Sequence, residues 1–416
     1  MENPKRILIL TADVGFGHRS AANAVAAALV EKYSERVVVD IANPMDDERT
    51  PAVLRDSQTD YDRLVREMPE VYRLRYELSD AALPSSLLES AVTVMLYGVM
   101  QDCVRRYRPD VIVTTHPMYP APLAAVNAVN RTNIPWFTVI TDLGQVHRIW
   151  FNPASDLLLV PTRTVRDLAL ENNVAEEKIV VTGIPVNPAL AHEKRSPQEI
   201  RAELGWRPDM TTGLIVGSKR VKNLEGVLHI LNHAGFPVQY AVAAGGDREF
   251  YQQLQVEEWH GIFHLYNYVE NMPAMMRASD FIICKAGGLI VTESLAGGLP
   301  VMLVDVTPGQ EEGNAAYILA NGAGDRAATP LAALEILCHW LADGGALLRE
   351  RAQAARTLGR PESAYTIADY VWAAAERGPL PIPESRQSFL PRLLNLLSNF
   401  GLVKHGQAGI GNQSST

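Results

Sequence analysis

Short apolar runs bounded by turn residues recur along the chain, and between most of them lie longer segments with apolar positions at helical spacing. Uninterrupted Val, Ile and Leu runs suit strands covered on both faces, as in a parallel sheet. The pattern predicts strands at 6–11, 37–41, 111–115, 136–141, 157–161 and 179–182, then at 214–217, 238–243, 263–265, 281–285 and 301–306. The clearest helices fall at 19–33, 87–107 and 164–171, followed by 197–204, 331–342, 346–358 and 362–376. Strand and helix alternate throughout, which reads as α/β, with two Rossmann-like doubly wound domains facing a cleft. The segment Gly183-Ile-Pro-Val-Asn-Pro188 breaks the periodicity and reads as the hinge. The expected division is 1–188, 189–360, a closing helix at 361–377, and a Pro-rich linker with a C-terminal segment at 378–416.

A chain of 416 residues is too long for one core, and 47% hydrophobic residues can fill two. The net charge of −9 argues against a general nucleic-acid binder, whose phosphate contacts need clustered Lys and Arg. Cys103, Cys284 and Cys338 lack metal or disulfide spacing and read as small apolar side chains in a reducing compartment. The chain opens Met-Glu-Asn-Pro-Lys-Arg and runs into a strand, so no signal peptide is expected. No apolar run is expected to approach the ~20 residues that span a bilayer. The stretch 87–100 is apolar but short and interrupted by Glu89. A protein that is soluble or lies on a membrane surface is the expectation.

The most informative chemistry lies in 281–314. A strand ending at Lys285 runs into Gly287 and Gly288, and a helix starts there with Leu289, Thr292 and Glu293 in its first turns. Glycine lets a diphosphate approach the backbone, and a helix N-terminus offers unpaired N–H groups and a partial positive charge. A carboxylate one turn on can accept from the two hydroxyls of a ribose. After the next strand, Gln310, Glu311, Glu312 and Asn314 form a cluster suited to a polyhydroxylated ring. Together these describe a nucleotide-sugar site.

The first βα turn, Thr11-Ala-Asp-Val-Gly-Phe-Gly-His18, carries only half a dinucleotide fingerprint: Gly15-x-Gly17, then Ser20 in place of a third glycine. His18 at the helix start can face the cleft and take a proton from an acceptor hydroxyl, with the helix dipole favouring the neutral ring. The same residue could simply cap the helix. Thr115-His116-Pro117 and Thr141-Asp142-Leu143, with His147, Trp150 and Phe151 beyond, end two further strands and should open onto the same cleft edge. Asp142 either orients His18, contacts an acceptor hydroxyl, or serves as an ordinary turn residue. Residues 61–78 mix Arg63, Arg66, Arg73 and Arg75 with Tyr61, Tyr72 and Tyr76, suiting an anionic headgroup layer or a solvated helix face. In 388–401, Phe389, Leu393, Leu396, Leu397 and Phe400 share one helical stripe, which fits an interfacial helix or docking onto the N-terminal domain.

With the Gly-Phe-Gly-His loop, the Thr-His-Pro and Thr-Asp-Leu turns and the AGG…TE…PGQEEGN block in order, residues 6–324 resemble a family of glycosyltransferases. That family includes monogalactosyldiacylglycerol synthase and processive diacylglycerol glucosyltransferases; the N-acetylglucosaminyltransferase that makes lipid II is a more distant relative. The resemblance implies a GT-B fold, a UDP-sugar donor, inversion at the anomeric carbon, no cofactor and no obligatory metal. It implies a diacylglycerol acceptor and a peripheral, monotopic place on the cytoplasmic face of the cell membrane, against an anionic surface. By position, His18 is then the base and Glu293 the ribose ligand. Gly287, Gly288 and Thr292 meet the diphosphate, Gln310 and Glu311 the donor sugar, and Tyr268–Val269 the uracil. Gly17, Gly217, Ser218, Lys285, Leu289 and Asn314 complete the donor set, and His116, Asp142 and Trp150 form the acceptor set. Two departures stand out. Ile290 replaces the family's threonine, which removes one phosphate contact, and the loop Gly217-Ser-Lys-Arg-Val-Lys-Asn223 is not glycine-rich, so either Lys219 or Arg220 touches the phosphate instead or the loop has lost that role. A UDP-sugar 2-epimerase using Glu311 and Glu312, and a non-catalytic UDP-sugar sensor, are the rival expectations.

Overall fold

A computed structural model describes residues 3–13, 17–55, 80, 82–217, 221–309, 311–379 and 396–403. It contains two six-stranded sheets whose pairings are all parallel. The first holds β1 (Lys5–Leu10), β2 (Val37–Ala42), β3 (Val111–Thr114), β4 (Trp136–Val139), β5 (Leu157–Val160) and β6 (Ile179–Val181), in the order β2-β1-β3-β4-β5-β6. The second holds β7 (Thr211–Val216), β8 (Val238–Ala243), β9 (Ile262–Tyr266), β10 (Phe281–Lys285), β11 (Val301–Asp305) and β12 (Gly324–Arg326), ordered β12-β11-β10-β7-β8-β9. Strand order reverses between β1 and β3 in one sheet and between β7 and β10 in the other, and open α/β sheets bind ligands at such points.

The unbroken apolar runs follow from burial on both faces. Ile7 and Ile9 of β1 enter one core with the helix Gly17–Tyr33, while Leu8 and Leu10 enter another with the helix Ala82–Tyr107. In β10, Ile282 and Cys284 face one core, and Phe281 and Ile283 the other. Every predicted strand is present. The unpredicted β12 reads Gly-Asp-Arg, which carries no strand signal and pairs only because β11 offers an edge. The predicted break between 342 and 346 appears as left-handed backbone at Asp343, Gly344 and Gly345 inside the span Pro330–Leu358.

One expectation needs correction. Among the described residues two helical spans, Ser86–Tyr107 within the helix Ala82–Tyr107 and Pro330–Arg377, are by length and composition apolar enough to cross a bilayer. The first has its apolar face on the protein. Here Val92, Leu96, Met100 and Val104 pack onto the first sheet beside Leu8 and Ile112, so it covers a core. The helix Ser363–Arg377 leaves the second domain and packs beside Gly17–Tyr33 on the first, with Tyr33 stacked on Trp372 at 4.2 Å. Of the C-terminal stripe, 396–403 is described. Leu397 is fully buried in the first-domain core with Leu8 and Leu96, so this piece docks onto the N-terminal domain. Phe400 stays 62% exposed.

Candidate functional site

At the first switch point, Thr115 N–H donates to the Leu10 carbonyl (3.0 Å). The Thr115 hydroxyl donates to the His18 carbonyl (3.1 Å), fixing the start of the first helix against the end of β3. His18 Nδ1 lies 3.1 Å from Thr141 Oγ1, and the ring also interacts with the Thr115 backbone. The ring meets His116 edge-on at 4.9 Å and lies 6.0 Å from Trp150. His116 and Trp150 are both buried. Burial pushes the His18 pKa down to about 4, so the imidazole is neutral at any ordinary pH. His116 is lowered too, first by burial and then by the neighbouring His18. Arg19, next along, forks onto both carboxylate oxygens of Asp13 at 2.8 Å, tying the helix start to the loop before it.

At the second switch point, the pairing of β10 with β11 shifts register between Cys284 and Lys285. Such a bulge re-aims the chain that follows, here Ala286-Gly287-Gly288. The helix Gly288–Ala296 begins there with no side chain capping it, leaving its first N–H groups available. Thr292 donates its hydroxyl back to the Gly288 carbonyl (2.7 Å). The carboxylate of Glu293, one turn in, has no hydrogen-bond partner among the described residues, and burial pushes its pKa up to about 7. Lys285 Nζ meets Glu311 Oε1 at 2.6 Å, while Glu311 Oε2 accepts from Thr307 N–H (2.9 Å). Glu311 is buried and both of its oxygens are engaged. Gly217 directly follows β7 and donates its N–H to the Ala243 carbonyl (2.8 Å). Tyr268 is 70% exposed, and with Val269, Tyr266 and Asn271 it borders a cavity of ≈ 350 Å³.

The two halves touch. Gly17 Cβ, if present, would stand 3.9 Å from Leu289 Cβ, so the starts of the two helices face each other. The structure thus brings His18, His116 and Trp150 opposite Lys285, Gly287, Gly288, Leu289, Thr292, Glu293 and Glu311. Ser218 and Gln310 lie outside the described residues, as do Gly15, Lys219, Arg220 and 61–78. Asp142 does not orient His18; Thr141 occupies that place, and Asp142 Oδ1 instead accepts from Asn314 Nδ2 (3.1 Å). Asn314 is fully buried, with its amide on protein groups of both domains. Sequence reading missed Thr141 and Leu143 as partners, although both stand in the turn it singled out.

These features, two doubly wound parallel sheets whose switch-point turns are brought together, define a GT-B fold. MurG of Acinetobacter baumannii superposes with TM-score 0.59 over 89% of this chain and 100% of that one, at 16% identity. UDP-GlcNAc 2-epimerase of Neisseria meningitidis reaches 0.58 over 88% and 100%, at 14% identity. Likeness at these identities speaks for the fold alone. Residues 18–186 match the family described as monogalactosyldiacylglycerol (MGDG) synthase, and residues 215–328 the glycosyltransferase family 28 C-terminal domain. Monogalactosyldiacylglycerol synthase 2, chloroplastic, of Arabidopsis thaliana is 28% identical over 390 residues, spanning 91% of this chain and 83% of that protein. The chain is thus similar to monogalactosyldiacylglycerol synthases along most of its length, in its first domain to that family and in its second to the family 28 glycosyltransferases.

Proposed function

We propose that this protein transfers a hexose, with galactose the leading candidate, from a UDP-sugar to diacylglycerol, inverting the anomeric carbon. The observation that carries the reading is His18, half-buried and held through Nδ1 by Thr141, at a helix start that meets the uncapped Gly288–Ala296 helix through Gly17 and Leu289. Galactose and diacylglycerol come from the names of the relatives.

In this reading the uracil lies by Tyr268 and Val269, the ribose hydroxyls on Glu293, and the diphosphate against Gly287, Gly288 and Thr292. His18 takes the proton of the primary hydroxyl as that oxygen attacks C1. The bond from C1 to the diphosphate oxygen breaks, and UDP leaves with the electron pair. Preorganised N–H groups stabilise the charge that builds on the leaving oxygen, so no obligatory metal or cofactor is invoked. Lys285 adds positive charge there, tempered by its pair with Glu311. The same pair weighs against the 2-epimerase reading, which needs Glu311 as a free carboxylate beside the sugar.

Val53, Leu87, Phe400 and Leu402 are exposed apolar residues, and each neighbours in sequence a residue packed into or against one first-domain core: Leu54, Leu88, or Leu397 and Val403. They supply an apolar face for a peripheral seat on an anionic membrane, on the cytoplasmic side where UDP-sugars are made. No nucleic-acid partner is proposed.

The test is incubation with labelled UDP-galactose, UDP-glucose or UDP-N-acetylglucosamine and diacylglycerol in anionic vesicles, with and without EDTA. Label in the lipid phase that survives EDTA and falls at least about 10²-fold in His18→Ala is expected. Near-normal turnover of His18→Ala would end the base assignment. An isomerised UDP-sugar formed without lipid would favour the epimerase.

A further inference from the structure

The loop 141–145 of the first domain is built into the second. Leu143 is buried in the second-domain core with Cys284, Ala286 and Leu303. Its N–H donates to Asn314 Oδ1 (2.6 Å), and Asn314 Nδ2 donates to both Asp142 Oδ1 and the Ala286 carbonyl at 3.1 Å. One buried amide therefore links the turn carrying Thr141, the partner of His18, to the residue that leads into the Gly287–Gly288 turn. Glycines mark the same contact. A Cβ on Gly288 would run into the Thr141 carbonyl, on Gly313 into Gln145 N, and on Gly144 into the Gly313 carbonyl. None of the three has a left-handed φ, so the backbone of neither domain alone requires glycine there. What excludes a side chain in each case is the other domain.

We propose that Asn314 and the loop 141–145 form an interdomain clasp. Asn314 acts as a positioning residue that sets His18 in register with the diphosphate turn, and Gly144, Gly288 and Gly313 leave room for the domains to close. Asp142 and Asn314 then serve each other and contact neither acceptor nor donor. The reaction class rests on the functional reading above, but the clasp itself does not.

The test compares wild type with Gly144→Ala, Gly313→Ala, Asn314→Asp and the exchange Asp142→Asn/Asn314→Asp, at pH 8. Small-angle X-ray scattering reads compactness, calorimetry reads UDP affinity, and steady-state kinetics reads turnover. The two alanine variants should raise the radius of gyration and unfold at nearly the wild-type temperature. Their kcat should drop by about 10- to 100-fold, as small misplacements of reacting groups do, while KM for the donor changes by less than about threefold. Asn314→Asp sets two carboxylates face to face and should open the cleft. The exchange restores the pairing of amide and carboxylate but leaves a carboxylate oxygen against the Ala286 carbonyl, so it should recover part of the compactness and part of kcat. Wild-type compactness and turnover in both alanine variants would overturn the clasp. So would an Asn314→Asp variant that stays compact but loses UDP binding, unrelieved by the exchange, since that places Asn314 on the donor. If wild type itself transfers no hexose, the functional reading fails and the scattering comparison still decides the clasp.

Discussion

Burial of the Glu293 carboxylate without a hydrogen-bond partner among the described residues raises its pKa from 4.5 to about 7, and this sets a measurable sign. Between those values the folded state holds more protons than the unfolded one. Its contribution to stability is thus full below about pH 4.5 and lost as pH rises through about 7. Glu293→Gln should therefore raise Tm relative to wild type at pH 8 and leave it unchanged at pH 4, read by scanning calorimetry. In the proposed reading, ribose hydroxyls would donate to the ionised carboxylate. UDP affinity should accordingly rise with pH to about 7 and flatten, while Glu293→Gln binds about tenfold more weakly with little slope. His18 has the opposite sign: its folded pKa lies below the ordinary 6.5, so stability is lost as pH falls from about 6.5 toward 4. The acid limb of kcat should likewise lie near pH 4 and not near 6.5.

Single elements divide between core and surface roles. Leu397 fills the first-domain core although it lies past a Pro-rich stretch. Leu397→Ala should cost about 2–5 kcal/mol in urea unfolding, the range for a buried leucine. Phe400, three residues on and exposed, should behave differently. Phe400→Ser combined with Leu87→Ser should leave stability within about 0.5 kcal/mol and weaken co-sedimentation with anionic vesicles. Unchanged sedimentation would remove this face from the membrane. At this scale the sequence was informative wherever burial on both faces produced continuous apolar runs, and even the Asp-Gly-Gly break at 343–345 was visible. It was silent at β12, where three residues pair only through a neighbour's edge.

Across the whole molecule, the helix Ser363–Arg377 returns to the first domain, so the domains are joined by two chain crossings. Ser363 also hydrogen-bonds Ile184 O (2.7 Å) and Val186 N (3.3 Å) in the predicted hinge. Two crossings at one edge leave the far edge free to open, and the contact of 141–145 with Gly288, Gly313 and Asn314 is where it shuts.

Strand and helix alternation, the two-domain plan, the uncapped glycine turn and the imidazole at the first helix are all local patterns, and the sequence determined them unaided. Periodicity and glycine spacing act over a few residues, so they survive in one dimension. The tertiary structure decided who meets whom. Asp142 and Asn314 are 172 positions apart and Lys285 and Glu311 are 26 apart. Thr141 displaced Asp142 as the partner of His18 because adjacent residues leaving a strand point to opposite sides. The raised Glu293 and lowered His18 pKa values arise from desolvation by burial, which exists only in the folded molecule.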